Sequence, residues 1–317
     1  MKISLVIPVY NEVESVPHLH QAIREALAGR DYEVVYVDDG STDGSVEALE
    51  RLVREDGGAS RVVVLRRNFG QTAALAAGID HSSGEVIVTL DADLQNDPAD
   101  IPALMQKIDE GYDVVSGWRV DRQDAALTRR LPSQIANWII SRVTGVRLHD
   151  YGCTLKAYRR EVLEGFHLYG EMHRFIPAYA GGVGARIVEV PVRHHARRYG
   201  RAKYGLERTL KVILDLFTVK FLTSYAAKPI YIFGGTGMGM IAASLVVLVA
   251  LAVRRLTLDE HMIRSPLLLL SVMLFILGAQ AILMGLLAEL TVRTYHESQA
   301  KPTYSVRRVV DAAHGTP

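Results

Sequence analysis

The sequence predicts an α/β domain with a mostly parallel sheet, followed by two helices that cross a membrane. The first observation is an alternation of short apolar runs with longer amphipathic stretches, from residue 1 to about residue 200. This pattern is typical of a sheet covered by helices on both faces. The second is a change of composition, because residues 229–253 and 266–288 contain no charged side chain. Each is long enough to cross a hydrocarbon core, which takes roughly 20 helical residues.

Strands and helices alternate in the N-terminal part of the chain. The predicted strands cover residues 3–9, 33–37, 61–65 and 85–90, and the predicted helices cover residues 15–28, 44–55 and 70–80. A helix near 98–110 and a strand near 112–117 follow. Polar or acidic turns follow three of the strands, at residues 10–12, 38–41 and 91–93. Ligands of open α/β sheets collect at such carboxyl ends, so these turns predict a binding site.

The triplet Asp91-Ala92-Asp93 follows the last of these apolar strands. In an extended segment the two carboxylates point to the same side and Ala92 to the other. The carboxylates repel each other unless a cation lies between them, and a hard divalent ion such as Mg²⁺ or Mn²⁺ also bridges to substrate phosphates. Gln95 is placed to orient a water of the ion or to supply an amide oxygen. Such triplets also occur in surface turns, but the position after a fourth strand favours metal binding.

The segment 38–44, Asp-Asp-Gly-Ser-Thr-Asp-Gly, follows the second predicted strand. Its glycines let the backbone turn and approach a ligand closely. A carboxylate at this turn can accept a hydrogen bond from a base N–H or a ribose hydroxyl. The alternative is a helix N-cap, for which Ser41, Thr42 and Asp43 are all suitable. Both roles are compatible, and we assign the ligand to Asp39 and the cap to Asp43.

The overall composition excludes several classes of protein. The chain has 317 residues and a formal net charge of +1, without the basic excess typical of nucleic-acid binding. A single cysteine, Cys153, excludes an intramolecular disulfide and a four-cysteine metal site. The N-terminus has no secretory signal pattern. We therefore expect the large domain in a reducing, cytoplasmic environment.

The C-terminal part predicts a membrane anchor. Residues 206–228 are amphipathic, and we expect them in the membrane interface, with an ordinary packed helix as the alternative. Two spans follow at about 229–253 and 266–288, and the glycines of 234–239 are expected to let helices pack closely. The alternative is a pair of buried helices in a soluble core. The predicted organisation is a domain over 1–205, interfacial helices over 206–228, two spans within 229–290 and a cytoplasmic tail over 291–317.

The short connection between the spans, Arg254–Ser265, predicts a hairpin with both chain ends on one side of the membrane. Lys and Arg are dense around residues 193–228 and recur in the tail, although the hairpin loop also contains three arginines. Counting these charges favours the cytoplasm for the large domain and the tail.

Several motifs in fixed order resemble the signatures of family 2 glycosyltransferases, which have the Rossmann-like GT-A fold. They lie at residues 6–12, 38–44 and 90–95. The closer resemblance is to the polyprenyl-phosphate glycosyltransferases, such as dolichol-phosphate mannose synthases, undecaprenyl-phosphate glucosyltransferases and the undecaprenyl-phosphate 4-deoxy-4-formamido-L-arabinose transferase. Residues 150–160, 111–115 and 284–289 are most similar to the last of these. The resemblance covers nearly the whole chain.

The resemblance implies an activity, cofactors and partners. The activity is the inverting transfer of a sugar from a UDP- or GDP-linked donor to a polyprenyl phosphate, such as undecaprenyl phosphate, for cell-envelope glycans or lipid modification. The cofactor is Mg²⁺ or Mn²⁺. The partners are the nucleotide-sugar, the polyprenyl phosphate and the lipid bilayer, without nucleic acid. We also expect a homo-oligomer and a multi-pass location in the cytoplasmic (inner) membrane.

The resemblance also implies roles for matching residues. The nucleoside pocket comprises Pro8, Tyr10, Glu12 and Asp39, and the metal and donor diphosphate are held by Asp91, Asp93 and Gln95. The residues facing the reacting groups are Arg119 and Arg129, with Arg197 and Lys203 clamping phosphate. In this last loop, residues 197–204, Ala202 stands where the family has serine, so one hydroxyl donor is missing. We place the acceptor-facing surface in residues 98–200.

The acceptor phosphate is already an anionic nucleophile and needs no strong general base. Metal and arginines would stabilise the leaving diphosphate, and in-line attack would invert the anomeric centre. Asp150 either orients donor or acceptor or only caps the turn after it.

Two other functions are compatible with parts of the sequence. A processive polysaccharide synthase of the same fold usually has a Gln-x-x-Arg-Trp motif, and neither Trp118 nor Trp138 lies in that setting. A membrane scaffold that only binds nucleotide would not require the intact carboxylates and basic loop.

Overall fold

The structure is a computed structural model with two compact units, one of α/β type and one of two long helices. The residues described are 1–120, 137–138, 140–142, 144–164, 168, 172–196, 230–258, 265–298 and 304–311. The predicted interfacial segment 206–228 lies outside them, as do Arg129, Arg197 and Lys203.

The α/β unit is built on a mixed sheet of eight strands in the described part of the chain. The strands are β1 (Ile3–Val9), β2 (Tyr32–Asp38), β3 (Ser60–Leu65), β4 (Val86–Thr89), β5 (Val114–Trp118), β6 (Lys156–Arg159), β7 (Ile187–Pro191) and β8 (Val306–Asp311). Their order is β7-β5-β6-β4-β1-β2-β3-β8. The pairs β1–β2, β1–β4, β2–β3 and β5–β7 are parallel, and the other pairs are antiparallel. The sheet is therefore mostly parallel, as the sequence predicts.

Helices cover both faces of this sheet. They are α1 (Ser15–Ala26), α2 (Ser45–Glu55), α3 (Gln71–Asp80), α4 (Ile101–Asp109), α5 (Arg160–Leu163) and α6 (Ile176–Gly182). Along β1, Leu5 belongs to a core cluster that includes Leu19 of α1, whereas Val6 belongs to a second cluster with Phe175. Strands buried on both faces read as continuous apolar runs, which explains the lack of polar alternation in β1.

The strand register places several loops at one edge of the sheet. Val6 of β1 pairs with Val35 of β2 and with Thr89 of β4, and all three strands run in the same direction. Lys156, at the start of β6, pairs with Thr89 and with Ser116 near the end of β5. The loops after β1, β2, β4 and β5 and the segment before β6 therefore emerge at the same edge.

The C-terminal segment differs from the prediction of a tail over residues 291–317. Residues 306–311 form β8, which pairs with β3 as an edge strand. Val310 is buried in the main core, and Arg308 donates to Glu50 of α2 at 2.6 Å. Burial alternates along β8, with Arg307 and Val309 exposed and Val306, Arg308 and Val310 less so, which suits an edge strand with one face on the core. The chain thus returns to the α/β unit after the two long helices.

The second unit consists of α7 (Ile230–Leu258) and α8 (Pro266–Ser298). The stretches Phe233–Thr257 and Pro266–Ala288 are long and apolar enough to cross a membrane. Only 17% and 11% of their most apolar windows are buried. Helices of a soluble core would bury most of this surface, so the exposure favours lipid as their surroundings.

Small residues bring α7 and α8 into contact. A Cβ added to Gly278 would lie 2.6 Å from the carbonyl oxygen of Gly237, and one added to Gly237 would lie 2.5 Å from the carbonyl oxygen of Gly278. The buried Ser244 hydroxyl donates to the carbonyl oxygen of Ser271 at 2.7 Å. Close backbone approach through small residues is typical of membrane helices, and the predicted role of the 234–239 glycines is confirmed at Gly237.

Replacing Gly278 with valine should destabilise this helix pair. Overpacking a tight contact typically costs about 1–3 kcal/mol, so Gly278→Val should lower the thermal unfolding midpoint in detergent, followed by circular dichroism. Gly239→Val is the matched control, because an added Cβ there meets no atom within 4 Å. Equal midpoints for the two variants would contradict the tight contact.

Candidate active site

The loops after β1 and β2 are joined by hydrogen bonds. The amide of Thr42 donates to Oδ1 of Asn11 at 2.8 Å, and the amide of Asn11 donates to Oγ of Ser41 at 2.9 Å. The amide of Glu12 donates to Oγ of Ser45 at 2.9 Å. Asn11 has a φ of +52°, a conformation that asparagine tolerates better than most residues. These hydrogen bonds hold the two loops together, and the loops form one wall of the candidate site.

The residues assigned to the nucleoside pocket lie along this wall. Pro8 and Tyr10 are half-buried, and Glu12 is buried with its Oε2 accepting from the Ser15 hydroxyl at 2.9 Å. Asp43 accepts from the amide of Ser45, the first residue of α2, at 3.0 Å. The N-cap position itself is occupied by Gly44, which has no side chain to cap the helix, so the prediction of Asp43 as N-cap is wrong by one residue. Asp43 still supports the start of α2 through its bond to Ser45.

Asp39 lies where β2 meets the loop before α3. Its Oδ1 accepts from the amide of Phe69 at 2.7 Å, and its Oδ2 accepts from the amide of Gly70 at 2.9 Å. Burial raises the pKa of this carboxyl above its ordinary value, and the two amides act in the opposite direction. The loops also touch at Gly40, where an added Cβ would lie 2.6 Å from the carbonyl carbon of Arg67. Asp39 thus holds a neighbouring loop in addition to its assigned ligand role.

The neighbouring Asp38 is fully buried at the end of β2. Its Oδ2 accepts from the amides of Gly40 and Ser41, both at 3.1 Å. Its Oδ1 has no hydrogen-bond partner among the residues that the structure describes. Burial is the largest influence on the Asp38 carboxyl and raises its pKa. The Asp38 side chain therefore stabilises the turn after β2 through its two bonds to backbone amides.

The two aspartates of the triplet lie after β4, with Ala92 buried in the main core. Asp93 is buried, and its Oδ1 accepts from the amide of Gln95 at 3.1 Å. Leu94, between them, has a φ of +59°, which closes this turn. Asp91 is half-buried, and its Oδ1 accepts from Nε2 of Gln71 at 2.7 Å. Ala92 thus packs in the core while Asp91 contacts α3, but residues 92 and 93 form a turn and not the extended segment expected. A shared side for Asp91 and Asp93 stays a prediction.

The chemistry of these donors fits a divalent ion that phosphate helps to bind. The described residues contain no cluster of three or more histidine, cysteine, aspartate or glutamate side chains suited to a metal. Two carboxylates leave most coordination positions to other oxygens, which is how Mg²⁺ sites at substrate phosphates are commonly built. The backbone oxygen of Gln95 accepts from the amide of His195 at 2.8 Å, which fixes the loop after the triplet.

Arg119 and Asp150 form a two-pronged ion pair. Nε of Arg119 donates to Oδ2 of Asp150 at 2.6 Å, and Nη2 donates to Oδ1 at 2.9 Å. The side chains are 13% and 3% exposed. Oδ1 also accepts from the amide of Gly152 at 3.1 Å. Asp150 therefore caps the turn after it and also fixes the Arg119 guanidinium. Its alternative role, orienting donor or acceptor, stays a prediction.

Contacts from β5 and β7 position the segment that contains Asp150. Glu189 of β7 accepts from the amide of His149 at 2.8 Å and from the amide of Asp150 at 3.2 Å. The His149 ring stacks on Trp118 with 4.4 Å between centroids. A Cβ added to Gly152 would lie 3.2 Å from Nη2 of Arg119, so glycine leaves room for the guanidinium.

Lys156 is a buried cation at the same edge of the sheet. Its Nζ donates to the backbone oxygen of Tyr151 at 3.1 Å. The pKa of Lys156 is lowered to about 8, mainly by burial; the charges of Arg174 and Arg119 act in the same direction, and Cys153 and Asp150 oppose them. Its strand partners are Thr89 and Ser116. When it is protonated, Lys156 adds a positive charge close to Arg119 and Asp150.

The structure thus brings most predicted site residues to one edge of the sheet. The residues assigned to the nucleoside pocket lie at the end of β1 or in the loops after β1 and β2, and the triplet Asp91–Asp93 follows β4. Arg119 and Asp150 lie in the connection between β5 and β6. Reasoning from sequence gave no role to Gln71, Lys156 or Glu189. Lys156 lies within a motif that carries the family resemblance, but no local signal shows that a lysine is buried or that Gln71 reaches another loop.

Residues 4–166 match the sequence profile of the family described as glycosyl transferase family 2. The chain belongs to this family. The matched part of this glycosyltransferase runs from β1 to α5 and contains the triplet, Arg119 and Asp150. All the described candidate site residues therefore lie within the family region.

Two similar relatives cover nearly the whole of this glycosyltransferase. A dodecaprenyl-phosphate galacturonate synthase of Rhizobium johnstonii is 44% identical over 98% of this chain and 94% of that protein. An undecaprenyl-phosphate 4-deoxy-4-formamido-L-arabinose transferase of Pseudomonas aeruginosa is 41% identical over 98% of this chain and 91% of that protein. The similarity therefore extends beyond the family region into the two long helices.

A solved structure shares the fold of this glycosyltransferase. Glucosyl-3-phosphoglycerate synthase from Mycobacterium tuberculosis, solved with Mn²⁺, uridine diphosphate and glucosyl-3-phosphoglycerate, superposes with a TM-score of 0.55. The match covers 70% of this chain and 79% of that chain at 19% identity. The mixed sheet with its helices is therefore a GT-A-like fold, as the sequence predicts.

The burial of Lys156 predicts a pH-dependent effect on stability. Because its pKa of about 8 lies below the ordinary value of 10.5, the unfolded chain binds more protons between these pH values, and stability rises with pH there. Lys156→Met should therefore stabilise the fold near neutral pH by about 1–3 kcal/mol, and this gain should shrink as the pH rises. Unfolding midpoints at about pH 7 and about pH 9.5 measure it.

The control for this measurement is Lys107→Met, because Lys107 is solvent-exposed on α4 and pairs with Glu110. It should show no gain at neutral pH. A Lys156→Met gain that stays constant with pH would contradict the lowered pKa.

Proposed function

We propose that this chain is an inverting polyprenyl-phosphate glycosyltransferase of the membrane. It takes a sugar from a UDP- or GDP-linked donor and places it on a polyprenyl phosphate, with undecaprenyl phosphate as the preferred acceptor. The product is a polyprenyl-monophosphate sugar for cell-envelope glycans or lipid modification. The observation that carries this proposal is the 41–44% identity, over 98% of the chain, to enzymes named for transfer to dodecaprenyl and undecaprenyl phosphate.

The donor would lie across the ends of β1, β2 and β4. The proposed nucleoside pocket is formed by Pro8, Tyr10, Glu12 and Asp39. Asp91 and Asp93, with Gln95, would hold Mg²⁺ or Mn²⁺ together with the donor diphosphate. The ion would supply charge neutralisation of the leaving diphosphate. Support for this assignment comes from the shared edge and from the two carboxylates held by Gln71 and by the Gln95 amide.

The acceptor phosphate would approach from the side of Arg119. A phosphate monoester is anionic near neutral pH and attacks the anomeric carbon without losing a proton to a base. Asp150 is engaged by Arg119 and by the Gly152 amide, so its carboxylate acts as an anchor for the guanidinium. Arginine forks bind phosphate oxygens in two places, which orients the nucleophile for in-line attack and inversion. Arg129, Arg197 and Lys203 complete the proposed phosphate-binding set.

The membrane arrangement is proposed from the two apolar helices and from β8. β7, which precedes α7 in the chain, and β8, which follows α8, belong to the same sheet. We infer a hairpin through the cytoplasmic membrane with the α/β unit in the cytoplasm and residues 206–228 in the interface. A homo-oligomer remains part of this proposal.

Transfer of a labelled sugar into lipid tests the activity directly. The purified full chain in detergent is incubated with undecaprenyl phosphate and radiolabelled UDP- and GDP-sugars, galacturonate and formamido-arabinose donors among them. We expect a label in the organic phase that mild acid releases as a single sugar. Label in a polymer would support a processive synthase instead, and no transfer from any donor would support a nucleotide-binding scaffold.

Loss of a metal carboxylate should abolish this transfer. Metal ions contribute several kcal/mol to transition-state stabilisation, so Asp93→Ala should reduce the rate by about 10³-fold or more. A chelator should do the same to the unaltered enzyme, and added Mn²⁺ should restore it. Asp109→Ala, at an exposed position of α4, is the matched control. Turnover of the unaltered enzyme in excess chelator would contradict the metal assignment.

The geometry of Arg119 should matter beyond its charge. A lysine keeps the charge but cannot make the two-pronged contact, so Arg119→Lys should lower kcat by about 10–100-fold. The control is Arg193→Lys, since Arg193 also donates through Nε and Nη2 to an aspartate, both to Oδ1 of Asp100, but its side chain is 54% exposed. Wild-type kcat in Arg119→Lys would show that only charge is needed there.

A further inference from the structure

The first turn of α3 contacts three segments of the candidate site. The amide of Gly70, just before the helix, donates to Asp39 after β2. Gln71, the first residue of the helix, donates to Asp91 after β4. Oγ1 of Thr72 lies 2.6 Å from Nδ1 of His173, and both side chains are buried. A shift of this turn would therefore move the proposed nucleoside and metal segments together.

The two carboxylates of the triplet are oriented by different means. Asp93 accepts from the amide of Gln95, two residues along its own turn, so its position follows from the local backbone. Asp91 instead accepts at 2.7 Å from a side chain that is 20 positions away in sequence. The orientation of Asp91 thus depends on the placement of a separate helix.

We propose that Gln71 is a positioning residue that holds the Asp91 carboxylate in the orientation required for the divalent ion. This inference rests on the metal site of the proposed function. A hydrogen bond to one carboxylate oxygen restricts rotation of the group, and partners of this kind outside the ligand set typically change metal affinity by roughly 10–100-fold. An amide suits the position because it donates without adding a charge that would compete with the ion.

Gln71 also lies at the start of a helix, so a purely structural role is the competing explanation. The first N–H groups of a helix attract negative charge, and Asp91 would favour this helix end even without the glutamine amide. The two explanations differ in what the substitution changes. A positioning role changes metal affinity at constant fold stability, whereas a structural role changes both together.

The test compares Gln71→Met with Gln21→Met in the full chain in detergent. Methionine has a similar length and helix propensity but cannot donate. Gln21 is the matched control, because its Nε2 donates to Glu25 at the same 2.7 Å on the exposed surface of α1. The affinity for Mn²⁺ is measured by electron paramagnetic resonance of the free ion, with UDP in one series and GDP in another. Thermal unfolding midpoints are measured in parallel.

We expect Gln71→Met to bind Mn²⁺ about tenfold more weakly in the presence of nucleotide, with an unfolding midpoint close to that of Gln21→Met. In transfer assays the Mn²⁺ concentration for half-maximal rate should rise by a similar factor, while kcat at saturating Mn²⁺ changes less. Gln71→Ala, which favours helix, serves as a second variant if methionine does not fit.

Three results would overturn the inference. Equal Mn²⁺ affinities in Gln71→Met and Gln21→Met, with normal binding in the unaltered chain, reject the role of Gln71 and leave the proposed function intact. A loss of affinity that tracks a fall in the unfolding midpoint rejects positioning in favour of helix stability. No Mn²⁺ binding by the unaltered chain with either nucleotide rejects the metal site itself and Gln71 with it.

Discussion

The parallel pairing of β1 with both β2 and β4 forces several carboxylates toward one edge of the sheet. Asp38 ends β2 and Asp39 follows it, and Asp91 and Asp93 follow β4. Like charges gathered in this way oppose folding unless donors or cations surround them. Backbone amides satisfy part of this need, from Gly40 and Ser41 to Asp38 and from Phe69 and Gly70 to Asp39. The surrounding loops adopt the conformations that deliver those amides.

The other half of the same edge has the opposite charge. β6 lies antiparallel between β4 and β5, which brings Arg119 and Lys156 beside the acidic half. Asp150 balances part of this positive charge and fixes the Arg119 guanidinium. A surface divided in this way suits the proposed reaction between two phosphate-bearing molecules, in which one half would hold the donor through a cation and the other would bind the acceptor anion directly. The division follows from strand order.

Local pattern was sufficient for β1 to β5 and for α1 to α4, whereas β6, β7, α5 and α6 were not predicted. Alternation predicts that Asp91 and Asp93 share a side; Ala92 is buried and Asp91 contacts Gln71 of α3, but the triplet enters a turn at Ala92. The pairing of Arg119 with Asp150 joins residues 31 positions apart and depends on β6 entering the sheet between β4 and β5. No periodicity encodes that insertion. The roles of Gln71 and β8 were not predicted for the same reason, because each depends on a partner that is distant in sequence. These partners are Asp91 for Gln71 and β3 for β8.

The position of β8 has a consequence for how the protein is made. During synthesis the ribosome delivers β1 to β7 first, then the two apolar helices, and only afterwards residues 306–311. Until then β3 presents an unpaired edge, and exposed edges invite pairing with other chains. The sheet can therefore be completed only after both apolar helices have been synthesised. Completion of the α/β unit is in this way coupled to the presence of α7 and α8, and a chain truncated after the helices would keep β3 as an exposed edge strand.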